Sequence, residues 1–455
     1  MNLEEKLMEI FKKSIADIMS CVAKQPNISN LVIGLKENLD SLGVLLIENV
    51  CQEIDDAYYL ERPKGIQIRH KERERTLMTE FGQVRLKRRL YKDVAQQKTF
   101  FAVDEYLQIP SYTRVEPALQ SKLIERATKG SFGEASRSIG ERLSRQTIFN
   151  IVKKNKIEEN SSKRKKMEEK GRKEIKKIFI EADEDHIHLQ NGKSAEVKLA
   201  YIHEGREIVA GRTKLINPRY FVSVTDNCSI WDNVSKYIYD NYNTDKAEIH
   251  LSGDGAVWIK SGLEFLPTAK FHLDKFHVVK SITMACGGKR KEKLHIIEAL
   301  KNNNYEDVEK IYNKVIGQRL EKSDKKLAEK SLKYIDNNFD EISLTNEFLC
   351  SAEGHISHVL SARMSSRPMG WSLDGAERIA NLRAFMYNGG KFSALTPKRE
   401  KIRKEKIEIK KHLYSICCPK RQKGGIMEAR VVALDGVKNA TSTILRELIM
   451  GKKFV

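Results

Sequence analysis

Apolar residues return every three or four positions from Leu3 to about Tyr59, at Leu7, Phe11, Ile15 and Ile18 among others, which is the period of an amphipathic helix. Around Gly82 the period drops to two. The runs Arg75-Thr76-Leu77-Met78-Thr79-Glu80-Phe81 and Gln83-Val84-Arg85-Leu86-Lys87-Arg88-Arg89-Leu90-Tyr91 predict the arms of a β-hairpin. The second arm sets Arg85, Lys87 and Arg89 on one face, which suits either contact with phosphate or an edge strand protected by charge. Helical patterning resumes from about Glu116 to Lys154. Within it a short helix from Phe132 breaks at Gly140, and a second begins behind the capping Ser144, which predicts a helix-turn-helix. Arg145, Gln146, Thr147 and Asn150 then face the major groove of double-stranded DNA.

The polar, lysine-rich run from Lys153 to Lys177 predicts a charged helix or linker. After it the chain becomes strand-like. Ile178-Phe179-Ile180-Glu181-Ala182-Asp183 is an apolar run ending in a carboxylate; a turn at Asn191-Gly192, an alternating run from Ala195 to Tyr201 and a further strand at Tyr220 to Val224 follow. Ala247 to Asp254 repeats the device and passes through Gly255 into a helical pattern that Pro267 stops. Ala269 to Asp274 then runs into a helix from Phe276 to Met284. Three antiparallel strands followed by strand-helix-strand units is the order of an RNase H-like fold, a mixed α/β (α+β) sheet. Its first and fourth strands are neighbours, which brings Asp183 and Asp254 together. A third carboxylate, Glu377, lies on the predicted helix Trp371 to Asn381. Two strand-end acids and one helix acid are what a two-ion phosphoryl-transfer site needs, with Mg2+ or Mn2+ held by a few carboxylates and leaving room for phosphate oxygens. Asp185 competes with Asp183 for the first role, and Glu353 competes with Glu377 for the third. Cys350, His355 and His358 form a loosely spaced set that suits zinc only weakly.

Composition sharpens the choice of substrate. The chain has 455 residues and a formal net charge of +20, an excess that favours polyanions such as nucleic acid. Arg363, Arg367 and Lys391 are further candidate phosphate contacts. Seven scattered cysteines without a C-x-x-C pair indicate neither a disulfide framework nor a zinc ribbon. No apolar run approaches the roughly twenty residues of a membrane span, and the N-terminus lacks a signal-peptide core. The expected location is the cytoplasm, in association with the nucleoid.

Several of these motifs resemble a known family. Gly253-Asp254-Gly255-Ala256, Phe265-Leu266-Pro267 and His272-Leu273-Asp274-Lys275-Phe276-His277 resemble the second-acid region of Mutator-like DDE transposases, including an Asp-x-x-His signature. Ile180 to His186, Met364 to Pro368 and Trp371 to Glu377 resemble the ISLre-type insertion-sequence transposases. The resemblance implies Asp183, Asp254 and Glu377 as a metal-binding triad, Asp274 and His277 as auxiliary catalytic residues, and a helical insertion before the glutamate. One departure stands out: Asp183 is followed by Glu184-Asp185 where relatives carry a small residue.

The expected organisation is a helical region with the hairpin over residues 1–92, a helix-turn-helix region over 93–160 and a basic linker over 161–177. A first part of the core follows over 178–290, a helical insertion over 291–370, the glutamate helix over 371–397 and a basic tail over 398–455. The expected activity is cleavage and transfer of DNA strands at element ends, by a homo-oligomer paired on DNA. A DNA-binding protein without chemistry and a nuclease that never joins strands are the alternatives.

Overall fold

The helix-period stretches at the start of the chain form α1 (Leu3–Lys24) and α2 (Ile28–Glu61), the second capped by Asn27, whose side chain accepts the Ser29 amide. The alternating runs form β1 (Ile66–Met78) and β2 (Gln83–Asp93), β3 (Lys98–Phe101) adds itself to β2, and the short helix α3 (Ala102–Leu107) follows. Val84 and Leu86 are sealed on the apolar side of β2 against Cys51 and Ile54 of α2, which leaves the alternate basic residues outside. The computed structural model describes residues 3–24, 27–155, 171–225, 227–342 and 350–395. The basic tail and most of the basic linker lie outside the described residues. Among these, the chain divides into two compact units: residues 3–77 with 81–113, and residues 78–80 with 114–395.

The second unit is built on a five-stranded mixed sheet. Its strands are β4 (Lys177–His188), β5 (Ser194–His203), β8 (Arg219–Ser223), β9 (Glu248–Gly253) and β10 (Ala269–Leu273), in the order β10-β9-β4-β5-β8. β9 runs parallel to both β4 and β10, whereas β5 is antiparallel to β4 and to β8. Between β5 and β8 the short strands β6 (Arg206–Val209) and β7 (Arg212–Leu215) pair only with each other. Strand alternation gives β4 two dissimilar faces. Ile178, Ile180 and Ala182 enter one core with Leu251, Trp231 and Trp258, under α7 (Asn227–Asn241). The opposite face meets helices from both ends of the unit: α4 (Pro117–Lys129), α5 (Phe132–Arg137) and α6 (Arg145–Lys154) before the sheet, and Leu373–Tyr387 after it.

Because Ile148, Ile151 and Val152 of α6 lie in the same core as Leu199, Tyr201 and Val222 of the sheet, the helix-turn-helix does not form a region ending near residue 160. It is part of the second unit. The helix expected from Phe276 is α8 (Lys275–Cys286), and the stretch expected as a helical insertion from residue 291 holds α9 (Arg290–Lys301), α10 (Tyr305–Gly317) and α11 (Lys322–Asp336); the four close around a small core of their own. A helical stretch then carries residues 352–364 through α12 (Ala352–Ile356), a π-helical turn at Ser357–Ser361 and one more turn at Ala362–Met364. The last helix is α13 (Leu373–Tyr387). Among the described residues no helix is long and apolar enough to cross a membrane.

Candidate metal centre

Three carboxylates share one side of β4. Glu181, Asp183 and Asp185 alternate with the core residues Ile180 and Ala182, so all point away from that core, and Asp183 is left 8 % exposed. The parallel register pairs Ser252 with Glu181; continued by two residues, it sets Asp254, just past β9, beside Asp183. The backbone there is tightly specified. A side chain on Gly253 would meet the Ala182 carbonyl at 2.9 Å, and Gly255 adopts φ +91°, which only glycine takes readily. Asp254 itself accepts the Ala256 amide at 2.9 Å.

Two further side chains arrive from helices. Glu353 comes from α12 and His277 from the first turn of α8, and donor atoms of Asp183, His277 and Glu353 all lie within 4.8 Å of one another. Asp274 fixes the start of α8: its carboxylate accepts the Phe276 amide at 2.9 Å, while its own amide donates to the Gly253 carbonyl at 2.7 Å. The Nε2 of His277 is shut off from solvent without a hydrogen bond, with Asp274 no nearer than 3.8 Å. Burial, followed by the charges of Asp254, Glu353 and Glu184, pushes the Asp183 carboxyl up to about 7. Burial likewise raises Asp274. A buried carboxyl whose ionised form its acidic neighbours disfavour, next to an unpartnered imidazole nitrogen, offers donors suited to a divalent cation.

What holds Glu353 there is a pair of long-range bonds. Glu181, 2 % exposed, accepts the Ser351 amide at 2.5 Å and the Ser351 hydroxyl at 3.1 Å. It also accepts from His203 at 2.9 Å, from Arg206 at 2.5 Å and from the Tyr201 hydroxyl. At the other end of the same helical stretch the Ser365 hydroxyl donates to Asp185 at 2.7 Å. The stretch is therefore pinned on either side of Asp183, with a π-helical turn, a feature often found at functional sites, directly after α12.

These contacts amend the sequence reading. Asp183, not Asp185, joins the cluster, since Asp185 is committed to Ser365. Glu377 is not gathered with Asp183: its carboxylate accepts the Val224 amide at 2.7 Å and the Asn381 amide at 2.8 Å, because α13 packs at the β8 edge of the sheet. Glu353 is the glutamate that meets Asp183. Asp274 acts as a helix cap beside the site. Among the described residues Asp183, His277 and Glu353 are the one group placed to share a metal ion, so Cys350, His355 and His358 do not assemble a zinc site. His355 instead meets the Tyr220 hydroxyl at 2.9 Å. Glu353 was legible only as a rival, and Glu181 was missed. Its signal was its place two residues before Asp183 on the same strand face.

The basic residues divide similarly. Arg363 is buried, donates to the Ala127 carbonyl at 3.1 Å and is held down to about 10 by burial and by Arg383, so it supports packing and offers nothing to phosphate. Arg367 pairs with Glu134 at 3.2 Å, and Lys391 is exposed. In the first unit Arg85, Lys87 and Arg89 do share the outer face of β2. Arg89 is nevertheless engaged by Asp55 at 2.9 Å and Asp56 at 2.6 Å, and Lys87 by Glu72 at 2.9 Å, while Arg85 is exposed. On α6, Arg145, Gln146 and Asn150 are exposed, Gln146 donating to Asn150 at 3.1 Å. Thr147 is half-buried against the capping Ser144, 2.9 Å between hydroxyls.

Fold and site together define a mixed α/β protein with a carboxylate–histidine centre on its sheet. Residues 22–401 match the model of UPF0236, described as an uncharacterised protein family, and the chain belongs to that family. It is similar to "UPF0236 protein TTE2489" of Caldanaerobacter subterraneus subsp. tengcongensis, 37 % identical over 86 % of this chain and 84 % of the relative. Another relative from the same organism, whose name joins eleven locus labels from TTE0033 to TTE2212, is 36 % identical over 86 % and 83 %. A third, "UPF0236 protein in vanSb 3'region" of Streptococcus gallolyticus, is 26 % identical over 68 % and 72 %. The resemblance to ISLre-type, Mutator-like transposases is thereby corrected. The match extending from residue 22 to 401 is to UPF0236, and none of these relatives carries a transposase name, whereas the motifs behind the resemblance are short.

Proposed function

We propose that this protein cleaves and rejoins DNA strands in a metal-dependent reaction, the chemistry of a DDE-type transposase, with Asp183, Asp254 and Glu353 as the acids. The observation that carries the reading is the convergence of Asp183, Glu353 and His277 beside the strand end that bears Asp254. The sheet order supports an RNase H-like core: the first, fourth and fifth strands lie parallel, and beyond the first the second and third follow, each antiparallel to the strand before it. The net charge of +20 supports a polyanionic substrate. A single name that joins eleven labels in one organism is what a sequence present in many genomic copies would carry, as expected of an element that moves itself.

The residues present fit divalent cations, since Asp183 is destabilised in its ionised form and His277 holds an unpartnered nitrogen. Mg2+ or Mn2+, when bound, supplies charge that activates an attacking oxygen and steadies the departing one. The chain's own part is placement. Asp183 lies on β4 and Asp254 just past the neighbouring β9, Glu353 meets Asp183 from a helical stretch pinned at both ends, and Asp274 anchors the helix that carries His277. The exposed edge of α6 with Arg145 and Asn150 is the part we assign to base edges in duplex DNA. Replacing Arg145 by Ala should lower affinity for element ends more than for unrelated DNA, measured by anisotropy at fixed salt; equal loss on both would reduce it to a backbone contact.

The direct test incubates the purified full-length protein with labelled element ends and Mg2+ or Mn2+, and resolves cut from joined products. Free 3′-hydroxyl ends followed by joined strands are expected. Cutting without joining would mean a nuclease, and binding without cutting a non-catalytic DNA-binding protein. Metal affinity should also depend on pH. A proton and a cation compete for Asp183, whose carboxyl sits at about 7 without metal, so Mn2+ should bind more weakly below pH 7, roughly tenfold per unit, and release a proton as it binds. Calorimetry at pH 6 and 8 in buffers of different ionisation enthalpy checks this; identical affinities would exclude Asp183 as a ligand.

A further inference from the structure

We propose that His277 binds the metal directly, making one ion position a mixed nitrogen–oxygen site of Asp183, Glu353 and His277 that prefers Mn2+ to Mg2+. The inference deepens the proposed function by naming a ligand and a metal preference for the same centre. Two independent observations carry it. The first is proximity: one ring nitrogen of His277 and one oxygen from each of Asp183 and Glu353 lie within 4.8 Å of one another. Metal–ligand bonds of roughly 2.1 Å need donors about 3 to 4 Å apart, so closing on an ion asks for movements of only about an ångström. The second is the condition of the imidazole. Its Nε2 is closed off from water and makes no hydrogen bond, whereas buried polar atoms in folded proteins are nearly always satisfied. The nearest carboxylate on its own helix, Asp274, stands 3.8 Å away, beyond hydrogen-bond reach, and spends one oxygen on the Phe276 amide.

The chemistry of the donors gives the preference. Mg2+ is hard and favours oxygen and water, while Mn2+ accepts imidazole more readily. A single nitrogen donor therefore tunes the Asp183–Glu353–His277 position toward Mn2+. Such a ligand also restrains the ion's position, because α8 is fixed to the end of β9 by the bond from the Asp274 amide to the Gly253 carbonyl.

The test uses the full-length protein without DNA. Electron spin-echo modulation of bound Mn2+ should show nitrogen coupling from a directly bound imidazole, and the coupling should vanish in His277→Gln and in His277→Asn. Mn2+ affinity should fall by at least about tenfold in these variants, with a smaller loss for Mg2+ followed by competition. In Asp254→Asn the nitrogen coupling should remain. Absence of the coupling in the wild-type protein overturns the proposal, as does its persistence in either His277 variant. The wild-type spectrum decides even if one variant fails to fold. Because no strand is cut in this experiment, a nitrogen-coupled ion in a protein that never cleaves DNA would sink the proposed function and leave this ligand assignment standing.

Discussion

Asp183→Asn is expected to reduce strand cleavage by at least about a thousandfold while leaving the protein folded and able to bind DNA. The side chain is 8 % exposed and lies within the Asp183–His277–Glu353 cluster, so the substitution removes a charge from the centre without removing volume. Stability should move the other way. The folded protein holds a proton on Asp183 up to about 7, far above the ordinary value of 3.8, so above pH 7 its ionised form costs stability in the metal-free state. Asparagine removes that cost. Without metal, the variant should therefore melt at or above the wild-type temperature at pH 8, with the advantage fading as pH falls and Asp183 takes up its proton. Wild-type cleavage rates in Asp183→Asn would sink the centre as drawn. Parallel variants settle the third acid. Glu353→Gln should lose cleavage to a comparable extent, whereas Glu377→Gln should keep it and lose at most modest stability through the Val224 and Asn381 contacts. The reverse outcome would restore Glu377 to the triad.

Glu181→Leu should have the largest effect on stability, a loss of about 3 to 5 kcal/mol in urea unfolding. The carboxylate is buried and accepts from His203, Arg206, Tyr201 and Ser351; removing it leaves those donors facing an apolar side chain. Burial alone would raise its pKa, but the hydrogen bonds and charges of His203, Arg206 and Tyr201 outweigh that and hold it at about 2. The sign of the pH dependence follows. A carboxyl held below its unfolded value of 4.5 stabilises the fold fully above that pH, and the contribution is lost as pH falls toward about 2. Acid should therefore unfold the wild-type protein more steeply than the variant between pH 4.5 and 2. Because the Ser351 bond also anchors α12, Mn2+ affinity should drop with stability; a loss below about 1 kcal/mol would show the network to be dispensable.

Much of the architecture was written in local patterns. The period of three to four residues placed α1 and α2, the alternation around Gly82 placed the first hairpin, and Ser144 marked the start of α6. The apolar run ending at Asp183 and the alternating run ending at Asp254 identified β4 and β9. The boundary of the second unit was not visible. Whether α6 stands apart or joins the sheet's core depends on Ile148 and Val152 meeting Leu199 and Val222, and the helical period of α6 says only that one face is apolar. Short motifs were weaker still as a guide to family, and the match to UPF0236 over most of the chain overrode them.

The sequence by itself determined the elements, the strong positive charge and the carboxylates available for a metal centre. Which of those carboxylates meet was decided only in three dimensions. Glu353 and Glu377 both follow helix-forming sequence, and nothing local ranks one above the other. Glu353 reaches Asp183 because Ser351 and Ser365 find Glu181 and Asp185 across 170 and 180 residues of chain, and because α13 instead lies along β8 and spends Glu377 on a backbone amide. Hydrogen bonds of such sequence separation leave no periodicity to read. They exist only once the sheet has formed and presented alternate side chains of β4 to whatever packs against it.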